Sequence, residues 1–284
     1  MKIQEITLGN YKKFQAEKTI PFYLSEDGRN DISVLIGNNG SGKTSILQAV
    51  ALLLGTVNRR NFSYKKLDWA GFNINFCENA NLSAQLLDDN KKQILVTQNR
   101  FSDTKFLPPI HSTGKCFWYT EQRNHSSIFV ENQQKRKIDM DTLRQILSNA
   151  LSNKNGFYTN FTKLCSKVFP NRQLHSAEMR LNNLTLPAYI FFTDGKNKYE
   201  LSEMSAGERA ILPLLIDFAN PFFSINNSVI LIDELELHLH PPLQQQLALA
   251  LPLLGNNNQF IISTHSDYVV QMFAKSQLIY LDSL

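Results

Sequence analysis

The chain has 284 residues, with 29 Lys plus Arg against 25 Asp plus Glu, for a formal net charge of +4. Hydrophobic residues make up 43% and charged residues 19%, which excludes a disordered or fibrous chain and suits one large domain or two small ones. The small total charge conceals an uneven distribution: residues 1–200 carry 27 basic and 17 acidic side chains, and residues 201–284 carry 2 and 8. No apolar run approaches the roughly 18 residues that span a bilayer. The opening MKIQEITLGN lacks the apolar segment of a secretory signal. Three scattered cysteines (Cys77, Cys116, Cys165) are too few for a disulfide scaffold or a zinc set, so reduced thiols and a cytoplasmic location are expected.

Taken in chain order, residues 3–8 alternate weakly, and 18–23 is a second short strand candidate. Asp31 leads into 32–36, a near-continuous apolar run that predicts a strand buried on both faces. Residues 45–54 are apolar almost all round, predicting a helix packed inside a layered domain, with Gly55 placed to stop it. Residues 82–87 and 93–98 predict a hairpin around 88–90. Helical spacing returns over 140–151 and continues over 161–168, and 187–193 with 198–201 flank a turn at 194–197. From 201 the composition changes. A helix over 206–218, interrupted by Pro213, precedes a buried strand at 228–232; a helix over 243–251 precedes a buried strand at 259–264; a helix over 267–274 precedes a short strand at 278–281. Strands alternating with helices predict a mainly parallel α/β sheet.

Gly37-Asn38-Asn39-Gly40-Ser41-Gly42-Lys43-Thr44 fits the phosphate-loop pattern G-x-x-x-x-G-K-[ST], between a buried strand and a helix. Glycines let backbone N–H groups turn onto a phosphate, and the helix N-terminus adds its positive dipole end. Asn38, Asn39, Gly40, Ser41, Gly42, Lys43, Thr44 and Ser45 are the expected ATP-binding residues, Lys43 reaching the β/γ-phosphates and the Thr44 hydroxyl helping to hold Mg²⁺. Four apolar residues, 229–232, deliver Asp233 and Glu234 at the C-terminal end of a strand, where ligands bind in open α/β sheets. Asp233 is expected to assist the metal, and Glu234 to orient or deprotonate the attacking water. Ser205-Ala206-Gly207-Glu208-Arg209 starts a helix and offers a hydroxyl and free N–H groups to an anion, though alone it is only a good N-cap. Residues 261–266 form a buried strand that ends in His265.

The order of these four elements resembles the ABC-type ATPase head, and more narrowly the SMC/RecF-like ATPases and the ATPase part of OLD-family nucleases, common in prokaryotic DNA repair and anti-phage defence. Asn10-Tyr11 is similar to their opening element, and Asp233-Glu234-Leu235-Glu236-Leu237-His238-Leu239-His240-Pro241 to their extended acidic-strand motif. The resemblance covers about 1–55 and 186–284. It implies a P-loop NTPase of ABC-ATPase type: a mainly parallel sheet flanked by helices, with an N-terminal antiparallel β-portion and a helical insertion. The chain 1–284 then reads as one domain, with a core lobe of 1–55 and 201–284 and an inserted β/helical region of about 56–200. The implied mechanism is a homodimer formed around sandwiched ATP and Mg²⁺. Ser205 and Gly207, with Glu208 beside them, meet the γ-phosphate in trans; His265 senses it in cis. Gln98 and Gln122 are both candidates for the Q-loop glutamine, and Ala206 departs from the glycine usual in transporters.

Two readings stand for the basic clusters Arg59-Arg60, Lys65-Lys66, Lys91-Lys92 and Lys135-Arg136-Lys137: a surface for DNA or RNA, or solvated faces. His238 and His240 with Glu234 and Glu236 allow a metal site only if the segment stays extended, and Pro241 argues for a turn into a helix. The leading expectation is an ATPase switch that senses nucleic acid or controls a separate effector such as a nuclease or toxin, since no Toprim nuclease segment follows His265. The alternatives are a transporter ATP-binding subunit and a slowly hydrolysing scaffold that holds a toxin.

Overall fold

Apolar runs too short for helices are buried as strands, and three of them make the centre of this molecule. The structure is a computed structural model that describes residues 1–25, 30–57, 80–99, 103–107, 115–119, 128–129, 139–153, 156–180, 186–220 and 225–282. Its six-stranded sheet runs in the order Leu278–Tyr280, Asp31–Ile36, Gln259–Thr264, Val229–Ile232, Cys116–Tyr119, Ile128–Phe129. All pairings are parallel except the last. Residues alternate between faces along a strand. Thus Val229, Leu231 and Ile261 join one apolar core with Ile3, Ile6 and the Lys43–Val57 helix, while Ile230, Ile232 and Ile262 join another with Phe161, Leu215 and Leu247.

The first core is closed by a five-stranded antiparallel sheet, ordered Lys18–Pro21, Lys2–Gly9, Asn81–Leu87, Gln93–Asn99, Asp103–Leu107. Between the two sheets, Ile46, Leu47, Val50, Leu53 and Leu54 are all buried, so the first helix is covered all round as its sequence predicts. The second core is covered by the helices Met140–Asn153, Gly156–Val168, Ala206–Ala219 and Pro241–Ala250 and by a small antiparallel sheet, Lys198–Glu200, Tyr189–Thr193 and Gln173–Glu178. The architecture is therefore the expected layered α/β one, with its antiparallel β-portion.

Several expected boundaries move. The first helix passes Gly55 and ends at Val57, because a glycine stops a helix only where the chain turns left-handed, and Gly55 stays helical. Pro213 does not interrupt its helix: Ala206–Ala219 is continuous, held by buried Ile211, Leu212, Leu214 and Leu215 despite the missing N–H. The helix expected over 267–274 is only Asp267–Val270. Strands Asp103–Leu107, Cys116–Tyr119 and Gln173–Glu178 are additional to the expected elements. Within 56–200, Asn81–Leu87 pairs with Lys2–Gly9, and Cys116–Tyr119 pairs with Val229–Ile232, so this stretch contributes inner strands to both large sheets.

Arg144 Nε and Nη2 donate to Glu200 Oε1 and Oε2 at 2.9 and 3.0 Å, a bidentate pair that pins the Met140–Asn153 helix to the small sheet. Burial works to raise the Glu200 carboxyl, but the hydrogen bonds from Arg144 and Ser202 outweigh it and hold the group down at about 2, against an ordinary 4.5. A carboxyl depressed by folding stabilises above its unfolded pKa, and that stabilisation is lost as pH falls through the folded value. The denaturant midpoint is expected to drop as pH falls from about 4.5 to about 2. Glu200→Gln should start from a lower midpoint at neutral pH and show a shallower drop across that window.

Candidate functional site

The register of the parallel strands sets the site. Ile36 pairs with Thr264, and Ile232 with Ile262, so the chain leaves three neighbouring strands at one edge. Gly37, Asp233 and His265 each come next after those strands.

At the first exit the phosphate loop turns through Gly40 and Gly42, at φ +79° and +102°. A side chain at Gly42 is excluded twice, by this backbone and by the Phe14 ring, whose Cζ would lie 2.8 Å from a Cβ. Phe14 closes the turn after Asn10-Tyr11, so the opening element packs directly on the loop. Lys43 is buried, and its ammonium donates to the carbonyls of Gly37 (2.6 Å) and Asn38 (3.0 Å), folded over the cradle it would share with a phosphate. The Ser41 hydroxyl is buried with no partner among the described residues. The Asn38 N–H donates to Asp282 Oδ2 at 2.9 Å. Thr44 and Ser45 follow in the first turn of the helix.

At the second exit Asp233 is 1% exposed. Its Oδ1 accepts from Ser263 Oγ at 2.5 Å, while Oδ2 is buried without a hydrogen-bond partner among the described residues. A buried carboxyl oxygen left without a partner is unfavourable unless a cation or donor arrives. A hard divalent cation takes oxygen ligands and meets that need, so the Asp233 carboxylate fits Mg²⁺, which Asp233 and Thr44 would hold. Ser263 Oγ also accepts from the Glu234 N–H at 2.8 Å. One hydroxyl therefore fixes both carboxylate residues. Glu234 takes φ +49°, an uncommon backbone for a non-glycine residue that costs about 1–3 kcal/mol and is typical of functional loops.

The loop after Glu234 is a tight double turn, with Leu237 N–H donating to Glu234 O at 3.0 Å and Leu239 N–H to Glu236 O at 2.9 Å. It turns Glu236 inward and leaves His238 and His240 exposed. Glu236 Oε2 accepts from Thr264 Oγ1 at 2.6 Å; Oε1 accepts from the His265 N–H at 2.8 Å and lies 2.7 Å from His265 Nδ1. No cluster of three or more His, Cys, Asp or Glu suited to a metal is present among the described residues, so the segment does not form the extended histidine–glutamate site.

Ser205 caps the Ala206–Ala219 helix. Its Oγ accepts from the Glu208 N–H at 3.2 Å, and Glu208 Oε2 accepts from the Ser205 N–H at 2.9 Å. Glu208 Oε1 accepts from Arg172 Nε at 3.1 Å, so its carboxylate is spent on the cap and on Arg172, while the Ser205 hydroxyl proton stays available. Gly207 lies against the acidic-strand loop: a Cβ there would come 2.5 Å from the His238 carbonyl oxygen.

Phe14, Arg172, Ser263 and Asp282 reach the site without a role assigned from sequence. Only Ser263 carried a signal there, as one of two adjacent hydroxyls, with Thr264, at the end of a buried apolar strand. Gln98 lies in the Gln93–Asn99 strand of the antiparallel sheet; Gln122, Arg59-Arg60, Lys65-Lys66 and Lys135-Arg136-Lys137 lie outside the described residues. Elsewhere in the basic stretch, Arg144, Arg172, Arg180 and Lys198 face Glu200, Glu208, Asp141 and Glu178 in ion pairs.

The family model for the RecF/RecN/SMC N terminal domain matches residues 2–282. The Septu protein PtuA of Bacillus mycoides (strain KBAB4) is 26% identical in an alignment of 289 positions that covers 93% of this chain and 38% of that protein. The retron Vc95 probable ATPase of Vibrio cholerae serotype O1 biovar El Tor is 24% identical over 386 residues, covering 100% of this chain and 74% of the relative. In fold, the chain is similar to the Smc head domain of Pyrococcus furiosus, solved with an extended coiled coil and bound to the C-terminal domain of ScpA. The TM-score is 0.60 at 15% identity, over 98% of this chain and 93% of that one. No helix among the described residues is long and apolar enough to cross a membrane.

The close approach of Gly207 to a backbone carbonyl is independent of any nucleotide. Gly207→Ala is expected to lower unfolding stability without ligand by about 1–3 kcal/mol, the usual cost of overpacking, measured by chemical denaturation.

Proposed function

Because the chain belongs to the RecF/RecN/SMC N-terminal-domain family, we propose that it binds ATP with Mg²⁺, dimerises around it and hydrolyses it as a switch. The observation that carries this reading is the buried Asp233 Oδ2, without a hydrogen-bond partner among the described residues, on the same sheet edge as a phosphate loop whose lysine is folded over its own cradle. Both are arrangements that a magnesium-bound triphosphate would complete.

The residues divide the work as follows. The N–H groups from Asn39 to Ser45 and the Lys43 ammonium receive the β/γ-phosphates at the start of the Lys43–Val57 helix. Thr44 and Asp233 would hold Mg²⁺, which would supply positive charge against the phosphate oxygens. Glu234 orients the attacking water and accepts its proton, and the Ser263 hydroxyl bonded to its backbone N–H keeps it in place. His265, half exposed beside the phosphate-loop strand, contacts the γ-phosphate. Ser205 is exposed at a helix start anchored to the 234–240 loop. It donates to the γ-phosphate held by a second copy, and a nucleotide is enclosed only when two chains meet.

The relatives named Septu protein PtuA and retron Vc95 probable ATPase, together with the resemblance to OLD-family ATPases, support a place in anti-phage defence or DNA repair. The ATP-bound dimer in this reading controls a separate effector, a nuclease or toxin, or engages nucleic acid. Glu234→Gln is expected to bind ATP with near-wild-type affinity, hydrolyse it about 10²–10⁴-fold more slowly, as for loss of a general base, and accumulate as dimer in light scattering. Turnover at the wild-type rate would remove Glu234 as the base.

A further inference from the structure

Glu236 stands outside the reaction as described, yet it is among the most completely engaged carboxylates in the molecule. It is 6% exposed and bridges the ends of two parallel strands. Oε2 takes the Thr264 hydroxyl at 2.6 Å, and Oε1 takes the His265 N–H at 2.8 Å and faces the His265 ring at 2.7 Å through Nδ1. The chain has to be bent for this. The turn from Leu237 N–H to Glu234 O and from Leu239 N–H to Glu236 O swings this side chain under the sheet edge, while its neighbour His238 stays exposed. Thr264 is itself fixed, its Oγ1 accepting from the Ser266 N–H at 3.0 Å. The carboxylate therefore cannot drift from the ring.

We infer that Glu236 is the positioning residue for His265: it holds the proton on Nδ1 and presents Nε2, in a fixed orientation, to the nucleotide phosphates. A carboxylate is an acceptor only, so the 2.7 Å contact requires a proton on Nδ1 whether the ring is neutral or charged. The nitrogen partnered in this way decides which one is left for chemistry. His265 would otherwise be a loosely held ring at the surface, with 53% of its side chain exposed. Glu236 also sits two residues after Glu234 in the same double turn, so the residue that holds the phosphate-sensing ring and the proposed base share one loop. What Nε2 meets rests on the ATPase reading; the pairing itself does not.

The test begins with the nucleotide-free wild-type protein, by ¹⁵N–¹H long-range correlation spectra of the neutral His265 ring. The expected result is a proton on Nδ1, and a ring protonated on Nε2 overturns the inference. Glu236→Gln keeps a carbonyl oxygen for Nδ1–H and an amide for Thr264, so it should retain the Nδ1–H form and most of the turnover. Glu236→Ala should lose that tautomer and lower kcat roughly 10–100-fold, the range for outer-shell partners of a site, with KM for ATP little changed. In a His265→Ala background Glu236→Ala should cause no further loss. A full multiplicative loss there would show that Glu236 acts through something other than this ring. If the tautomer is as stated and the wild-type protein binds no ATP, the pairing stands and the ATPase reading fails.

Discussion

Ile232 beside Ile262 and Thr264 beside Ile36 are the pairings on which the rest of this molecule depends. Parallel strands lie about 4.8 Å apart, so fixing this register puts the end of the phosphate-loop strand, the histidine strand and the acidic strand in one row. A slip of one residue would send Asp233 and its neighbours to the opposite face. The register is enforced by burial on both sides: residues 229–232 and 259–264 have no exposed position that would tolerate the slip. The apolar interior thus does the positioning, and the polar groups are carried at its edge.

That edge holds groups that are unfavourable in the free chain. Asp233 has an oxygen without a hydrogen-bond partner among the described residues, Glu234 takes a left-handed backbone, and Lys43 and Glu236 are buried. Such features persist only where the surroundings over-determine them. Here Ser263 secures both Asp233 and the Glu234 backbone, Thr264 secures Glu236, and a packed core lies behind each strand. The Ala206–Ala219 helix joins the same assembly through Gly207, pressed on the His238 carbonyl, so the 234–240 loop and the helix start at Ser205 are in direct contact. In the proposed dimer this contact links the nucleotide edge to the surface that Ser205 presents to a second chain.

Much of the architecture was legible because its signals are local. The glycines and lysine of 37–44, the runs 32–36, 229–232 and 259–264, and the all-round apolar 45–54 each state their own environment. Signals that depend on distant partners were not legible. Cys116–Tyr119 is four residues long and is a strand because Val229–Ile232 lies beside it. Pro213 reads as a break, and packing on both sides overrides it. Phe14 and Asp282 touch the phosphate loop from opposite ends of the chain, and Glu236 meets His265 across 29 residues; no spacing rule encodes those contacts. The charge asymmetry also changes meaning, since several basic side chains of the middle stretch are matched to carboxylates inside the fold.

In the proposed dimer one chain holds half of each site, with Lys43 on one side of the nucleotide and Ser205 of a second copy on the other. This arrangement is tested most directly by mixing two inactive variants. Lys43→Ala removes the phosphate-loop ammonium and leaves the Ala206–Ala219 helix intact; Ser205→Arg blocks the start of that helix and leaves the phosphate loop intact. Neither should hydrolyse ATP alone, and an equimolar mixture should regain turnover, because a mixed dimer contains one site built from two undamaged halves. A mixture as inactive as its folded components, or Ser205→Arg hydrolysing ATP alone at the wild-type rate, would contradict the account.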